Sequence, residues 1–323
     1  MASKNSNLHT AKKNKNDEFY TQLSDIEKEM KYYKDAFKGK VVYCNCDDAR
    51  ESNFFKYFSM NFEHLGLKRL ITTSYSESGK GNVLVYEGDK NGNRRVDDEE
   101  IKVTELQGNG DFASDECTQY LKQADIVVTN PPFSLFREYV KQLMDYNKKF
   151  IIIGNQNAIT YKEIFPYIKE DKLWMGYKSG DMAFTVPDYY EAKETRYWVD
   201  ENGQKWRSLG NVCWFTNVEH DKRNTPLDLY KTYNPKDYPT YDNYDAIEVS
   251  KVAEIPSDYD GVMGVPITFL DKYCPTQFEI IGITENANYL KDLYLDGCEK
   301  YDRPYLNGKR MYSRLLIKRI VSA

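Results

Sequence analysis

Two apolar runs constrain the chain more than any other feature. Ile126-Val127-Val128-Thr129 and Phe150-Ile151-Ile152-Ile153-Gly154 are almost free of polar residues, and each ends abruptly in a polar turn, Asn130-Pro131-Pro132 and Asn155-Gln156-Asn157. A strand with one wet face alternates apolar and polar residues, whereas an unbroken apolar run is covered on both faces, as in a parallel sheet sandwiched by helices. Helical spacing follows the first run over residues 134–146, and an earlier run, VVYCN at 41–45, leads to the helical pattern NFFKYFSMNFEHLG at 53–66. Strands alternating with helices predict an α/β fold built on a doubly wound, mostly parallel sheet.

Other elements follow from shorter signals. The segment SDIEKEMKYYKDAF reads as a helix capped by Ser24, with Glu27 completing a capping box and Gly39 as the stop. RLITTSY (69–75) is a further strand, while NVLVYEG (82–88) and IKVTEL (101–106) form a hairpin turned near Asn91-Gly92. Beyond Trp174, MAFTVP and NVCWFTN are strands flanking a small hairpin turned at Asn202-Gly203. From residue 221 the chain becomes rich in Tyr, Asp and Pro, with GVPITFL and FEIIGIT as short strands. The expected organisation is a flexible basic arm over 1–16, a main domain over 17–220 and a smaller domain over 221–323.

Composition narrows the functions. Lys and Arg total 45 against 50 Asp and Glu, a net charge of −5, so the protein does not coat nucleic acid by bulk charge, although a local basic face is compatible with it. No stretch approaches the roughly 18 apolar residues of a membrane span, so no membrane association is expected. The six cysteines (44, 46, 117, 213, 274, 298) are scattered, which fits a reduced, cytoplasmic setting. Cys44 and Cys46 lack a second pair or a nearby His, so no metal is expected. Asp89, Asn91, Asn93 and Glu100 stand at calcium-loop positions, but Arg94 replaces the required glycine, and the segment is read as a hairpin turn.

The residues that point to chemistry sit at strand ends. Asn130-Pro131-Pro132-Phe133 follows an apolar strand, at the carboxyl edge where open α/β sheets bind ligands. Two prolines remove two N–H donors and fix φ, so the local carbonyls are held for another use. An amide oxygen beside such a carbonyl offers two acceptors to one NH2 group, and Phe133 offers a face for a planar ring. This is a pocket for an exocyclic amine. The loop after the first strand, with Asn45, Cys46 and Asp47, lacks a glycine-rich fingerprint, and its acids fit a cationic ligand better than a phosphate; a solvated acidic helix start is the other reading. Asp111-Phe112 pairs a carboxylate with an aromatic, suited to an adenine ring or to an ordinary turn. The segment containing Asp17, Phe19, Tyr20 and Thr21 precedes the first helix as a binding segment or as plain capping. Near the C-terminus, Lys309, Arg310, Arg314, Lys318 and Arg319 could line a phosphate backbone or guard an edge strand.

In this order the segments resemble the EcoRI-type adenine-specific DNA methyltransferase family, including its phage and prophage members. The match rests on DEFYTQLSDIEKE, KGKVVYCNCDDARESNFFKYF, the block from GDF to NPPFSLFREYV, FIIIGNQNAITYKEIF, GVPITFLDKYCPTQFEIIG and NGKRMYSRLLIKR. The resemblance implies a Rossmann-like methyltransferase domain with a C-terminal target recognition domain, S-adenosylmethionine as cofactor and double-stranded DNA as partner. A cognate restriction endonuclease is a partner the family allows without requiring. It further implies catalytic roles for Asn130, Pro131, Pro132 and Phe133, and cofactor contacts from Asp17, Phe19, Tyr20, Thr21, Asn45, Cys46, Asp47, Asp111 and Phe112. DNA contacts would come from Lys309, Arg310, Arg314, Lys318 and Arg319. The implied reaction is methylation of adenine N6 after base flipping; methylation of a protein glutamine or of RNA, and a noncatalytic DNA-binding role, are the competing readings. Two departures stand out: the usual glycine-rich first loop is absent, and no acid ends the second strand, with Glu77 only a distant substitute.

Overall fold

The computed structural model describes residues 19–45, 49, 52–76, 79–284, 289–295 and 303–320. They divide into two compact units: residues through Ala158 with Gly176–Val218, and Ile159–Met175 with the chain from Glu219 onward. Among the described residues, no helix is long and apolar enough to cross a membrane.

The first unit carries a nine-stranded sheet. In chain order its strands are β1 (Val41–Cys44), β2 (Arg69–Thr73), β3 (Asn82–Tyr86), β4 (Ile101–Glu105), β5 (Ile126–Thr129), β6 (Lys149–Asn155), β7 (Trp174–Thr185), β8 (Tyr197–Val199) and β9 (Lys205–Thr216). They lie side by side as β4-β3-β2-β1-β5-β6-β9-β7, with β8 paired to β9. Strands β2, β1, β5 and β6 are mutually parallel. Every residue of β1 and β5 is buried, as their unbroken apolar sequences require. Antiparallel pairs flank this core, β3 with β2 and β4 on one side and β9 with β6 on the other.

The β3–β4 hairpin forms as expected. Its outer strand is exposed apart from Ile101 and is protected by charge, with Lys80 paired to Glu105 at 2.7 Å. In the connecting loop Asp89 accepts from the amides of Gly92 and Arg94, both at 2.6 Å, and Glu100 accepts from that of Lys90 at 2.7 Å. These carboxylates thus serve the turn itself. The β8–β9 hairpin turns where Asn202-Gly203 predicts, closed by the Gly203 amide on the Asp200 carbonyl, with Gly203 at φ +80°.

The helices differ from the sequence pattern at three places. The first, α1, runs over Leu23–Met30 and is preceded by Gln22, whose side chain makes no cap. Ser24 is therefore inside the helix, because Gln22 Nε2 is engaged by the Tyr20 carbonyl and Thr185 Oγ1, and the paired backbones of Tyr20 and Thr185 fix where the helix can begin. Residues 34–37 are a separate 3₁₀ turn. The expected single helix over 53–66 splits into α2 (Asn53–Met60) and α3 (Phe62–Leu65), since Asn61 turns its amide back onto the Tyr57 carbonyl at 2.8 Å. Further on, α4 (Asp115–Gln123) is capped by Ser114, and α5 (Phe136–Asp145) follows the Asn-Pro-Pro-Phe turn.

A buried carboxylate fastens α1 to the sheet. Glu29 is fully buried and accepts from the Tyr33 hydroxyl at 2.7 Å and from two successive amides of β7, Tyr177 at 2.6 Å and Lys178 at 2.7 Å. Burial, and then the Glu29 charge, push the Tyr33 pKa far above its ordinary value, so Tyr33 stays a donor.

In the second unit α6 (Phe165–Lys169) accompanies a four-stranded sheet ordered β10-β11-β15-β12: β10 (Ile247–Glu248), β11 (Met263–Pro266), β12 (Phe278–Ile283) and β15 (Arg314–Arg319). The C-terminal strand is therefore central, with Leu315, Leu316 and Ile317 buried, and the edge-strand reading of this segment is corrected. The second half of GVPITFL, from Ile267, forms a 3₁₀ turn that runs on to Lys272 instead of continuing the strand. A small hairpin, β13 (Tyr305–Leu306) and β14 (Lys309–Arg310), turns at Asn307-Gly308, both at positive φ, and Asp242 holds both turn amides at 3.1 and 2.7 Å.

Two substitutions test these ties. Glu29→Ala removes the acceptor of one buried and two part-buried donors and is expected to lower stability by about 1–3 kcal/mol in urea unfolding. Glu248→Ala leaves the buried Arg314 guanidinium, 2.7 Å from Glu248, uncompensated and is expected to cost about 3–5 kcal/mol, whereas Glu248→Leu with Arg314→Met recovers most of that loss in the same measurement.

Candidate functional site

The Asn-Pro-Pro-Phe turn leaves β5 at the carboxyl edge of the parallel core. Pro132 starts a 3₁₀ turn over Phe133–Leu135, whose Leu135 amide returns to the Pro132 carbonyl at 2.9 Å before α5 begins. The turn is short and closed, so it fixes the preceding Asn130. Asn130 is 9% exposed; its Nδ2 donates to the Phe19 carbonyl at 2.7 Å, and its Oδ1 is buried without a hydrogen-bond partner among the described residues. Buried acceptors are ordinarily satisfied. With Nδ2 committed to Phe19, Oδ1 is the atom left to accept a further donor.

Aromatic rings surround this amide. Phe133 stacks on Phe19 with ring centroids 5.5 Å apart and an interplanar angle of 27°. Phe19 also meets Phe184 at 5.6 Å and Tyr190 at 6.1 Å. The strand bridge between Tyr20 and Thr185 anchors this segment to β7, with backbone bonds of 2.9 and 3.3 Å. Thr21 is 2% exposed; its carbonyl accepts from Asn53 Nδ2 at 2.8 Å, and its Oγ1 is a second buried polar atom without a described partner.

A chain of contacts links this pocket to the next two strand ends. Thr129 Oγ1, at the end of β5, donates to the carbonyl of Asn45 at the end of β1, and the Asn45 side-chain oxygen accepts from the Tyr139 hydroxyl of α5. The Tyr139 ring meets Phe112 edge to face at 5.0 Å, and Gln142 of the same helix donates to the Phe112 carbonyl at 3.0 Å. The loop carrying Asp111 and Phe112 is pressed against the end of β2: a Cβ on Gly110, which has φ +82°, would lie 1.9 Å from the Ser74 carbonyl oxygen. Asp111 accepts from the Ala113 amide at 2.9 Å and is otherwise exposed.

Phe19, Tyr20, Thr21, Asn45, Asp111, Phe112 and Asn130–Phe133 thus come together along one sheet edge. Asp17, Cys46, Asp47 and the distant Glu77 lie outside the described residues. The sequence did not single out Tyr139, Asn53, Phe184 or Tyr190; Tyr139 behind β5 and Phe184 on β7 are marked only by an apolar pattern that is equally a core pattern, and Asn53 and Tyr190 carry no such mark. The orphaned oxygens of Asn130 and Thr21, the aromatic rings and the neutral Asn45 suit a ligand that brings its own donors and a flat ring. S-adenosylmethionine has both. A phosphate-rich dinucleotide finds no basic group among these residues.

The basic residues near the C-terminus divide into two kinds. Lys309, Arg310 and Lys318 are exposed, and Arg319 is half-buried 3.7 Å from Asp260. Arg314 is corrected as a phosphate contact. Its side chain is 9% exposed and forks onto Glu248, with Nη2 to Oε1 at 2.7 Å and Nε to Oε2 at 3.1 Å, while the Tyr241 hydroxyl closes the group. The guanidinium is held inside the second unit, because a buried charge must keep its partner.

Comparison with known proteins agrees with this layout. The family described as "Adenine-specific methyltransferase EcoRI" matches residues 7–320. Type II methyltransferase M.EcoRI of Escherichia coli is 50% identical over 316 residues, 94% of this chain and 97% of the relative. Type II methyltransferase M.MpnI of Mycoplasma pneumoniae is 41% identical, covering 96% of this chain and 97% of its own. Type II methyltransferase M.MgeORF184P of Mycoplasma genitalium is 40% identical, covering 97% and 98%. With a family match across nearly the whole length and half of all residues shared with one member, the chain belongs to the EcoRI adenine-specific methyltransferase family and is an enzyme of that kind.

Proposed function

We propose that the protein transfers a methyl group from S-adenosylmethionine to N6 of an adenine at a specific site in double-stranded DNA, with the adenine swung out of the helix into the Asn130–Phe133 pocket. The observation that carries this reading is the buried Oδ1 of Asn130, which has no hydrogen-bond partner among the described residues, with its amide locked by Phe19. N6 of a paired adenine cannot be reached inside a duplex, which is why the base must leave the stack.

The work of the chain is positional. Asn130 Oδ1 and the Pro131 carbonyl accept the two N6 hydrogens, which draws the nitrogen lone pair out of conjugation with the ring and toward a tetrahedral shape. Phe133 packs one face on Phe19 and offers the other to the adenine. Phe19, Tyr20, Thr21, Asn45, Asp111 and Phe112 hold the cofactor, joined by Asp17, Cys46 and Asp47. When bound, that cofactor supplies a methyl group made electrophilic by a sulfonium. The aromatic wall excludes water. Holding amine and methyl in line can contribute roughly 7–11 kcal/mol through proximity, and oriented acceptors add about 3 more. No covalent enzyme intermediate is needed.

The second unit supplies DNA contacts through Lys309, Arg310, Lys318 and Arg319, acting as a target recognition domain. A Type II relative implies a restriction-modification setting, in which a cognate endonuclease is an optional partner. The intact Asn130 and Phe133 favour an enzyme over a noncatalytic DNA binder, and the large second unit favours DNA over a protein glutamine or RNA.

Asn130→Ala is expected to lower methyl transfer from tritiated cofactor by about 10²–10³-fold or more while leaving duplex affinity within about twofold, since it removes an acceptor used by the reacting amine. Wild-type turnover in that variant contradicts the mechanism. Replacing Lys309 and Arg310 together by Ala is expected to reduce the slope of log affinity against log salt by about 2 in filter binding, uniformly across DNA sequences. An unchanged slope removes these residues from the interface.

A further inference from the structure

A second amide stands at the same edge, and its orientation is fixed by the protein. Asn155 ends β6; its Oδ1 accepts from the backbone amide of Asn157 at 2.9 Å and from Nδ2 of Asn211 at 3.0 Å. A backbone N–H can only donate, so the oxygen of Asn155 is identified and its Nδ2 must face the other way. Among the described residues nothing accepts from that Nδ2, and Asn155 is only partly buried. Two N–H donors are therefore presented at a strand end next to β5.

The face on which they stand follows from register. Thr129 of β5 lies beside Ile152 of β6 in the parallel pair, and Val128 and Ile153 share one apolar cluster with Val212, Phe184 and Phe133. Side chains alternate along strands, so the face holding Val128 continues to Asn130 and the face holding Ile153 continues to Asn155. Both amides extend the row on which Phe133 and Phe19 pack. One amide offers a locked acceptor, the other locked donors.

Adenine carries the complement of that pair on its Watson–Crick edge: the N6 amine donates and the adjacent N1 accepts. We propose that Asn155 is a specificity-determining residue, donating from Nδ2 to N1 of the flipped adenine while Asn130 accepts from N6. A base with a proton at this ring position, such as hypoxanthine or guanine, would set donor against donor. Asn157 and Asn211 are then positioning residues that keep Asn155 from turning its oxygen to the base. The proposal rests on the adenine reading given above.

The test pairs protein and base changes. Duplexes carrying adenine, 1-deazaadenine or 7-deazaadenine at the target are methylated by wild type, Asn155→Ala and Asn155→Asp. The Asp variant keeps the acceptor that Asn157 and Asn211 use, so it retains the local fold, which thermal unfolding checks, but it has no donor. On adenine, kcat/KM is expected to fall about 10- to 30-fold in both variants. On 1-deazaadenine wild type falls by a similar factor and Asn155→Ala falls no further, while 7-deazaadenine affects wild type and Asn155→Ala alike. Equal losses in Asn155→Ala on all three bases, coupling to 7-deazaadenine alone, or full activity of Asn155→Asp on adenine would each overturn the proposal. If wild type methylates no adenine in any duplex, the underlying functional reading has failed; if it does and no coupling appears, the Asn155 assignment alone has failed.

Discussion

The hydrogen bond from Asn130 Nδ2 to the Phe19 carbonyl, 2.7 Å long, connects the N-terminal segment to the end of the central strand and decides which way the amide faces. A free asparagine can flip, presenting donor or acceptor equally well. Here the flip would place two oxygens against each other in a site shielded from water, so the acceptor is held toward the ligand. The same bond requires the chain before α1 to lie across the sheet edge, which the Tyr20–Thr185 bridge enforces. A neutral amide is enough for the proposed chemistry, in which it accepts hydrogen bonds from an amine and does not act as a base.

The surrounding structure reads as a set of locks on that edge. Twin prolines close the turn, Thr129 ties the end of β5 to the end of β1, and Tyr139 carries the connection to Phe112. Each fixes backbone close to a strand end, where it would otherwise fray. The buried Glu29 serves the same end from farther away by fixing α1 against β7, and with it the segment from Phe19 to Thr21. Preorganisation of this kind lets a site stabilise a transition state without rearranging during the reaction.

The parts of the fold legible in the sequence are those governed by periodicity and turn chemistry. Unbroken apolar runs gave β1, β5 and β6 as parallel and buried, and Asn-Gly dipeptides marked the β8–β9 hairpin. What periodicity cannot give is competition from distant partners. Ser24 has every local mark of a cap, yet the Tyr20–Thr185 pairing begins the helix two residues earlier, with Gln22 in the cap position. Arg314 sits in a basic segment and belongs by composition with the exposed cations, but Glu248, 66 residues away in the chain, draws it inside. The pocket divides in the same way. Asn130 and Phe133 stand out as a motif, whereas the Phe19 carbonyl is a backbone atom with no sequence signature. Asn155 looked like an ordinary strand end until its two hydrogen bonds fixed its orientation.

In the proposed reaction a methyl group is delivered to the exocyclic amine of adenine in duplex DNA. Incubating the full-length protein with duplex DNA and S-adenosylmethionine deuterated at its methyl group, followed by digestion to nucleosides and mass spectrometry, tests it directly. The expected result is label in N6-methyldeoxyadenosine alone, absent when RNA or cell protein replaces the DNA. Label in cytosine, in RNA or in protein glutamine, or no labelled nucleoside from DNA that the protein demonstrably binds, would contradict it.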